Sequence, residues 1–159
     1  MIRDATADDA AAIAAIWNPV IRDTAITFNP VEKTAADVAA MIAERGPAHG
    51  FLVADDDGVL GFATYAQFRG GAGYRHTAEH TVILNPRAQG RGMGRALMDA
   101  LCAHAKARAM HSLFAGCSAE NMGAVRFHEI MGFARVAVLP QVGRKFDRWI
   151  DLILLQKML

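Results

Sequence analysis

A glycine-rich segment at residues 89–94, Gln-Gly-Arg-Gly-Met-Gly, has the composition of an anion-binding turn. It follows a strand-like apolar run at residues 81–84 and precedes a helical pattern at residues 95–107. Glycines permit positive φ angles and a close approach of the backbone to a ligand, and a helix N-terminus offers free N–H groups. Arg91 and Arg95 add positive charge. The segment predicts a cradle for a pyrophosphate, with an ordinary glycine-rich turn as the alternative interpretation.

The spacing of these glycines excludes two common phosphate-binding motifs. The Gly-Lys-Ser/Thr ending of a Walker loop is missing, and Leu97 stands where the dinucleotide fingerprint requires its third glycine. What remains is Gln-x-x-Gly-x-Gly, formed by Gln89, Gly92 and Gly94, and this resembles the acetyl-CoA turn of the GNAT N-acetyltransferase family. The resemblance implies acetyl-CoA as co-substrate, no metal, and cofactor contacts from Val82, Ile83, Leu84, Gln89, Gly90, Arg91, Gly92, Met93, Gly94 and Arg95.

Glu79 lies on the strand that leads into this cradle. A carboxylate in the middle of a strand is unfavourable on a buried face, so it either faces water or has a chemical role. Acetyl transfer to an amine needs a base, because a protonated amine has no lone pair for attack. A carboxylate in an apolar cleft has its pKa raised toward the useful range. We predict that Glu79 is the general base, and a solvated strand residue is the alternative.

A second family-like pattern covers residues 121–133. The family commonly has Asn-x-x-Ala-x-x-x-Tyr-x-x-x-Gly-Phe here. Asn121, Ala124, Gly132 and Phe133 match it, and His128 occupies the tyrosine position. The resemblance implies that His128 protonates the departing CoA sulfur, which histidine can do near neutral pH, and that Asn121 binds the pantetheine arm. Without this pattern, His128 would be interpreted as a helix-surface histidine.

The resemblance narrows to the phosphinothricin and methionine sulfoximine/sulfone acetyltransferase branch. Its motifs match residues 74–82 (Tyr-Arg-His-Thr-Ala-Glu-His-Thr-Val), 127–133 and 141–149, and they span nearly the whole chain. Two residues depart from it: Ile83 stands where members often have tyrosine, and Asp147 where they often have glycine. The resemblance implies a small amino-acid-like substrate, antibiotic or herbicide resistance, and a homodimer.

Four residues are candidates for binding that substrate. Arginine binds carboxylates bidentately, so Arg75 is predicted to bind the carboxylate of an amino acid, with a surface arginine as the alternative. His76 and Thr77 adjoin it. Phe28, in an irregular loop at residues 24–30, is interpreted equally well as a pocket wall or as core packing.

His76 and His80 lie four residues apart on a strand. This spacing separates them by about 13 Å, which disfavours a metal site formed by the two histidines.

Two other functions and one other mechanism remain open. A non-catalytic acyl-CoA sensor would keep the cradle and lose the base, and the presence of Glu79 argues against it. An acetyltransferase of protein amines is disfavoured by Arg75, which implies a free carboxylate. Cys117 near His128 allows a covalent acetyl-cysteine route, but a buried strand cysteine is the commoner state.

The element order predicted by periodicity and turn signals is βααβββαβαββ. After the first strand come two helices, three strands that form a meander, a helix, a βαβ unit and a last strand. We predict an α+β domain over residues 1–159 with the GNAT fold, a mixed sheet of six to seven strands flanked by four helices. Pro19 is expected to end or kink the first helix, and Ile130 to face inward from the last.

Composition excludes several classes of protein. The chain has 159 residues, 53% of them hydrophobic, which is enough for a sizeable core and disfavours disorder. A net charge of +1 gives no drive toward nucleic acid or membranes. Two cysteines do not form a disulfide framework, and no apolar run is long enough to span a bilayer. We therefore expect a cytoplasmic protein without nucleic-acid or membrane partners.

Overall fold

The computed structural model describes all of residues 1–159. Its elements, in chain order, are β1 (Ile2–Asp4), α1 (Ala10–Asp23), α2 (Ala35–Arg45), β2 (Phe51–Asp55), β3 (Val59–Gln67), β4 (Thr77–Leu84), α3 (Met93–Ala107), β5 (Ser112–Ser118), α4 (Met122–Ile130), β6 (Ala134–Lys145) and β7 (Arg148–Met158). Short 3₁₀ turns lie at Ala7–Asp9, Ala72–Tyr74 and Pro86–Ala88. Seven strands and four helices in this order confirm the predicted α+β architecture.

The strands form one mixed sheet in the order β1-β2-β3-β4-β5-β7-β6. All neighbouring pairs are antiparallel except β4 and β5, which are parallel. A parallel pair needs a crossover connection, and α3 supplies it. The two parallel strands therefore sit at the centre of the sheet, and the cradle segment lies directly beyond the end of β4.

The core has one layer on each face of the sheet. Alternate residues of β2 point to opposite faces: Leu52 and Ala54 belong to a cluster of 18 buried residues with α3 and α4. Phe51 and Val53 belong to a second cluster of 10 buried residues with α1. The helices thus cover both faces and hold the central strands rigidly. None of the helices is long and apolar enough to cross a membrane.

The helices differ from the expectations at two positions. Pro19 does not end α1, which continues to Asp23. The buried side chains of Trp17 and Ile21 pack on either side of the proline, so tertiary contacts outweigh its missing N–H. Ile130 does not face inward, since 60% of it is exposed. The buried stripe of α4 instead runs through Val125 and His128.

The basic segment at residues 144–148, near the C-terminus, forms the tip of a β-hairpin. Lys145 pairs with Arg148 across a two-residue turn. Phe146 and Asp147 in that turn have φ angles of 52° and 59°, as a type I′ turn requires. Asp147, the departure from the family's usual glycine, is tolerated because aspartate visits the left-handed region more easily than most residues.

Candidate active site

The central cleft exists because β4 and β5 pair over only part of their length. Their paired residues run from Thr77 with Ser112 to His80 with Ala115. Beyond this point β4 continues to Leu84 and β5 to Ser118 without pairing with each other. The strands diverge into a cavity of about 750 Å³. The backbone of β4 that faces β5 in this stretch is therefore free to bind a ligand.

The cavity brings together residues that are far apart in the sequence. It is lined by nine of the predicted site residues: Phe28, Glu79, Val82, Ile83, Leu84, Gln89, Gly94, Asn121 and His128. Gly90, Arg91, Gly92, Met93 and Arg95 adjoin it at the N-terminus of α3 but do not line it. Arg75, His76 and Thr77 also lie outside it. The two predicted catalytic residues thus share one space, whereas the predicted carboxylate-binding group is separate from it.

The cradle has the geometry of an anion site. Gly90 and Gly92 have φ angles of 73° and 75°, and Gly92 is the residue before α3. The first backbone hydrogen bond of the helix runs from the N–H of Ala96 to the carbonyl of Gly92, at 3.0 Å. The N–H groups at the three preceding positions have no acceptor inside the helix. Three N–H groups and the positive end of the helix dipole therefore point toward one place.

The side chains of the cradle have structural roles. A Cβ atom on Gly94 would lie 3.1 Å from Cδ1 of Leu84, so the missing side chain lets α3 pack closely on β4. The guanidinium of Arg91 forms an ion pair with Asp56 in the β2–β3 turn. Arg91 is therefore directed toward that turn, and the anion site consists mainly of backbone.

Glu79 is a carboxylate without a protein partner. No protein group donates a hydrogen bond to it, and its side chain is open to the cavity. It lies over Gly116 of β5, where an added Cβ would come within 2.9 Å of its Oε1 atom. The surrounding walls displace enough water that burial raises the pKa of Glu79. A carboxylate with free lone pairs and a raised pKa is suited to accept a proton.

His128 is buried in the same cavity. Its Nδ1 atom lies 2.7 Å from the carbonyl of Ala124, and its Nε2 atom lies 2.9 Å from Nε2 of His80. Burial lowers the pKa of His128. His80 was not among the predicted site residues. His80 follows Glu79 on β4 and faces the opposite side of the sheet, and no local sequence signal places it at the cleft.

Cys117 completes this corner of the cavity. Its Sγ atom lies 3.7 Å from Nδ1 of His128. Burial raises the pKa of the thiol to about 11. The thiol is therefore protonated at neutral pH, and because the thiolate is the nucleophile, the covalent acetyl-cysteine route is disfavoured.

Asn121 is the N-cap residue of α4. Its side-chain oxygen accepts a hydrogen bond from the N–H of Ala124 at 3.3 Å, as an N-cap residue does. The cap fixes the side chain, which also lines the cavity. The residue is thus held where a ligand arm in the cleft would pass.

The α1–α2 loop closes one side of the cavity and is held by a buried lysine. The ammonium of Lys145 donates to the carbonyls of Ile21, Thr24 and Thr27 at 2.5, 2.6 and 2.7 Å. Phe28 follows directly and packs its ring against Gly143. The structure therefore favours the pocket-wall interpretation of Phe28, and Lys145 fixes that wall.

Arg75 and its neighbours form a separate cluster at the start of β4. The Nε atom of Arg75 donates to Nε2 of His76 at 3.0 Å, and Nδ1 of His76 donates to the carbonyl of Ala109 at 2.7 Å. Both residues are exposed. The structure does not bring them to the cavity with Glu79, and their role in substrate binding stays a prediction.

The Acetyltransferase (GNAT) family model matches residues 17–133. The chain belongs to this family. It is also 38% identical over 157 residues to the L-amino acid N-acyltransferase MnaT of Escherichia coli, covering 98% of this chain and 91% of that protein. It is 36% identical to the L-methionine sulfoximine/L-methionine sulfone acetyltransferase of Salmonella typhimurium, covering 98% and 92%.

A solved structure extends the similarity to three dimensions. The acetyltransferase yncA from Salmonella typhimurium, determined with acetyl-CoA, superposes with a TM-score of 0.95 at 35% identity, covering 99% of this chain and 92% of that one. The likeness confirms the predicted fold. Together with the family match, it identifies the chain as an acetyl-CoA-dependent acyltransferase. No group of three or more His, Cys, Asp or Glu side chains is arranged to hold a metal ion.

Proposed function

We propose that this N-acetyltransferase acetylates the amine of a small amino-acid-like substrate of the methionine sulfone, methionine sulfoximine or phosphinothricin type. The observation that carries the proposal is Glu79, an unpartnered carboxylate with a raised pKa in the cleft next to the cradle. The names of the two relatives described above support the substrate class.

The residues present fit acetyl-CoA. The free N–H groups of the first turn of α3 would hold the pyrophosphate. The unpaired edge of β4 at residues 82–84 would bond the pantetheine arm, which also passes Asn121. Bound acetyl-CoA supplies the acetyl group as an activated thioester.

The side chains then have distinct roles in transfer. Glu79 accepts a proton from the ammonium of the substrate and so frees the lone pair that attacks the thioester carbon. Backbone N–H groups of β4 stabilise the negative charge that develops on the carbonyl oxygen. His128 returns a proton to the departing sulfur.

The walls of the cavity suit a compact substrate with an apolar stem. Trp17, Val20, Ile26 and Phe28 line it on the side of the α1–α2 loop. The relatives' amino-acid substrates carry a carboxylate next to the amine, and Arg75 remains the predicted group to bind it. A substrate panel that pairs L-methionine sulfone with its decarboxylated amine tests this, because the amine would lose the arginine contact.

Release of free CoA from acetyl-CoA tests the proposal directly. We expect turnover with L-methionine sulfone or phosphinothricin, and little with a peptide N-terminus or a peptide lysine. Glu79→Gln keeps the shape of the side chain but cannot accept the proton, so kcat/KM should fall by about 10²–10⁴-fold at pH 7. Raising the pH should restore part of the rate, because solvent then supplies neutral amine.

Three outcomes would contradict the proposal. Acetyl-CoA binding without turnover on any amine would indicate a sensor. Preference for the peptides would indicate a protein acetyltransferase. A wild-type rate in Glu79→Gln at pH 7, with Glu32→Gln as the exposed control carboxylate, would remove Glu79 from the chemistry.

We also propose a homodimer formed through β6. This strand ends the sheet, so its outer edge carries unpaired backbone groups. Its side chains Val136, Val138 and Val142 are exposed by 50–59%, an apolar surface that a second copy would cover. Light scattering at micromolar concentration should give twice the chain mass of 17.1 kDa, and a monomer would contradict it.

A cytoplasmic location and resistance to phosphinothricin-type compounds complete the proposal, with growth of expressing cells on phosphinothricin as the assay.

A further inference from the structure

His80 and His128 form a buried pair with all four ring nitrogens in close polar contact. The two Nε2 atoms lie 2.9 Å apart. Nδ1 of His80 lies 2.9 Å from the carbonyl oxygen of Phe114, and Nδ1 of His128 lies 2.7 Å from that of Ala124. The ring of Phe133 packs against both, with centroids 5.5 and 5.2 Å away.

The three contacts, two from Nδ1 to a carbonyl and one between the Nε2 atoms, each need one hydrogen. Two neutral imidazoles together carry only two N–H hydrogens. A carbonyl oxygen only accepts, so each Nδ1 must carry a hydrogen to donate. A neutral imidazole has one N–H, so each Nε2 would then present a lone pair to the other at 2.9 Å. Moving one hydrogen to Nε2 merely transfers the clash to a carbonyl. Only a third hydrogen, between the Nε2 atoms, satisfies every contact.

We infer that His80 and His128 share one proton and together carry a single positive charge, and that His80 is the positioning residue that keeps this proton available to the departing sulfur. The inference rests on the proposed function for its catalytic part. The proton count rests on the geometry of the pair alone.

Two opposing effects act on the proton. Burial lowers the pKa of both rings, and that of His80 to about 3. The shared hydrogen bond raises the pKa at which the pair loses its third proton above the value that burial alone would set, because the neutral pair has an unsatisfied contact in every tautomer. Such a pair titrates as a unit rather than as two separate residues.

The surroundings of the pair are compatible with one positive charge. From β5 it faces the thiol of Cys117, which is neutral because its pKa is raised to about 11. Glu79 of β4 lines the same cavity and supplies the opposite charge when ionised. Lys157 of β7 places its Nζ atom 5.9 Å from the centroid of the Phe133 ring, which packs against both histidines.

The protons balance over one turnover. When the C–S bond breaks, its electron pair stays on sulfur, and the thiolate takes the shared proton. The pair is left neutral with two N–H hydrogens. The ammonium substrate releases two protons overall, the first to Glu79. One of the two restores the pair, and the other leaves to solvent.

Nitrogen NMR of the enzyme without substrate, with ¹⁵N-labelled histidine rings, counts the hydrogens directly. We expect three protonated nitrogens among the four at pH 7. His80→Gln can donate an N–H to His128 but cannot carry charge, so His128 should then show one protonated nitrogen. His111→Gln, at an exposed position directly before β5, is the control that leaves the pair unchanged. Two protonated nitrogens in the wild type would overturn the inference.

The pH dependence of kcat tests the catalytic part. In the wild type kcat should fall as the pH rises through the titration of the pair. His80→Gln should lose this alkaline limb, and its kcat at pH 7 should be about 10–100-fold lower with an unchanged KM for acetyl-CoA. An unchanged kcat and limb would overturn the role of His80. A wild-type protein that acetylates no amine would overturn the proposed function while leaving the proton count intact.

Discussion

Gly116→Ala tests the position of Glu79, the proposed base, without altering that residue itself. The new Cβ would lie 2.9 Å from Oε1 of Glu79, and 3.5 Å from Cδ1 of Leu152, which is an ordinary contact. Relief requires the carboxylate to retreat by about half an ångström. A misplacement of about 1 Å costs about 10²-fold in rate, so half of that predicts a loss of about tenfold in kcat/KM. Since the displaced atom ends a flexible side chain, the free energy of unfolding should change by less than about 1 kcal/mol.

The assay is steady-state CoA release with L-methionine sulfone, run beside urea unfolding of the same variants. Gly70→Ala is the matched control, because its Cβ meets nothing within 4 Å. The double variant with Glu79→Gln decides the cause: if Gly116→Ala acts through the carboxylate, it adds little to the Glu79→Gln loss. Full additivity, or a Gly116→Ala enzyme as fast as wild type, would refute the placement of Glu79 over Gly116.

Three further predictions follow from other parts of the molecule. Gly143→Ala places a Cβ 2.7 Å from Cζ of Phe28, so the ring must leave its seat and the KM for the amine should rise several-fold, with the acetyl-CoA KM unchanged. Gly92→Val forces a β-branched residue to a φ of 75°, which strains the cradle by about 1–3 kcal/mol, and calorimetry should show acetyl-CoA binding weakened by at least about tenfold. Asp9 has its pKa lowered from 3.8 to about 2, chiefly by the hydrogen bond from Arg3. Its stabilisation, about 2 kcal/mol, is present above about pH 4 and is lost as the pH falls through 2. Asp9→Asn should therefore lower the free energy of unfolding in urea at pH 7 and flatten its acid dependence, and Asp8→Asn should do neither.

The sequence was sufficient for features that arise from local patterns. The order of strands and helices follows from apolar periodicity and turn residues, and the capping box of Thr34 and Asp37 marks the start of α2 as it does in the structure. The cradle could be located because glycines between a strand and a helix have a local physical meaning. The nearness of Glu79 and His128 was accessible only through the family resemblance, since no local pattern joins β4 to α4.

Features that depend on long-range contacts were missed. His80 and His128 are 48 residues apart, and neither carries a signal of its partner. Lys145 lies 118 residues from Thr27, and a lysine that follows an arginine in a basic segment is ordinarily solvated. Pro19 failed as a helix stop because packing of its buried neighbours outweighed a local rule. In each case the deciding energy comes from residues that meet only after folding.

The three hydrogen bonds that Lys145 donates to main-chain carbonyls allow the substrate preference to change without loss of the fold. The lysine bonds only main-chain carbonyls, one in the last turn of α1 and two in the α1–α2 loop, and these are present whatever side chains the loop carries. Side chains at positions such as 26 and 28 can therefore vary without releasing the loop from the sheet. The cradle and Glu79, the proposed base, belong to other elements and need not respond. An evolving or engineered enzyme could thus exchange one amine for another by altering a few loop positions, with the transfer chemistry inherited intact.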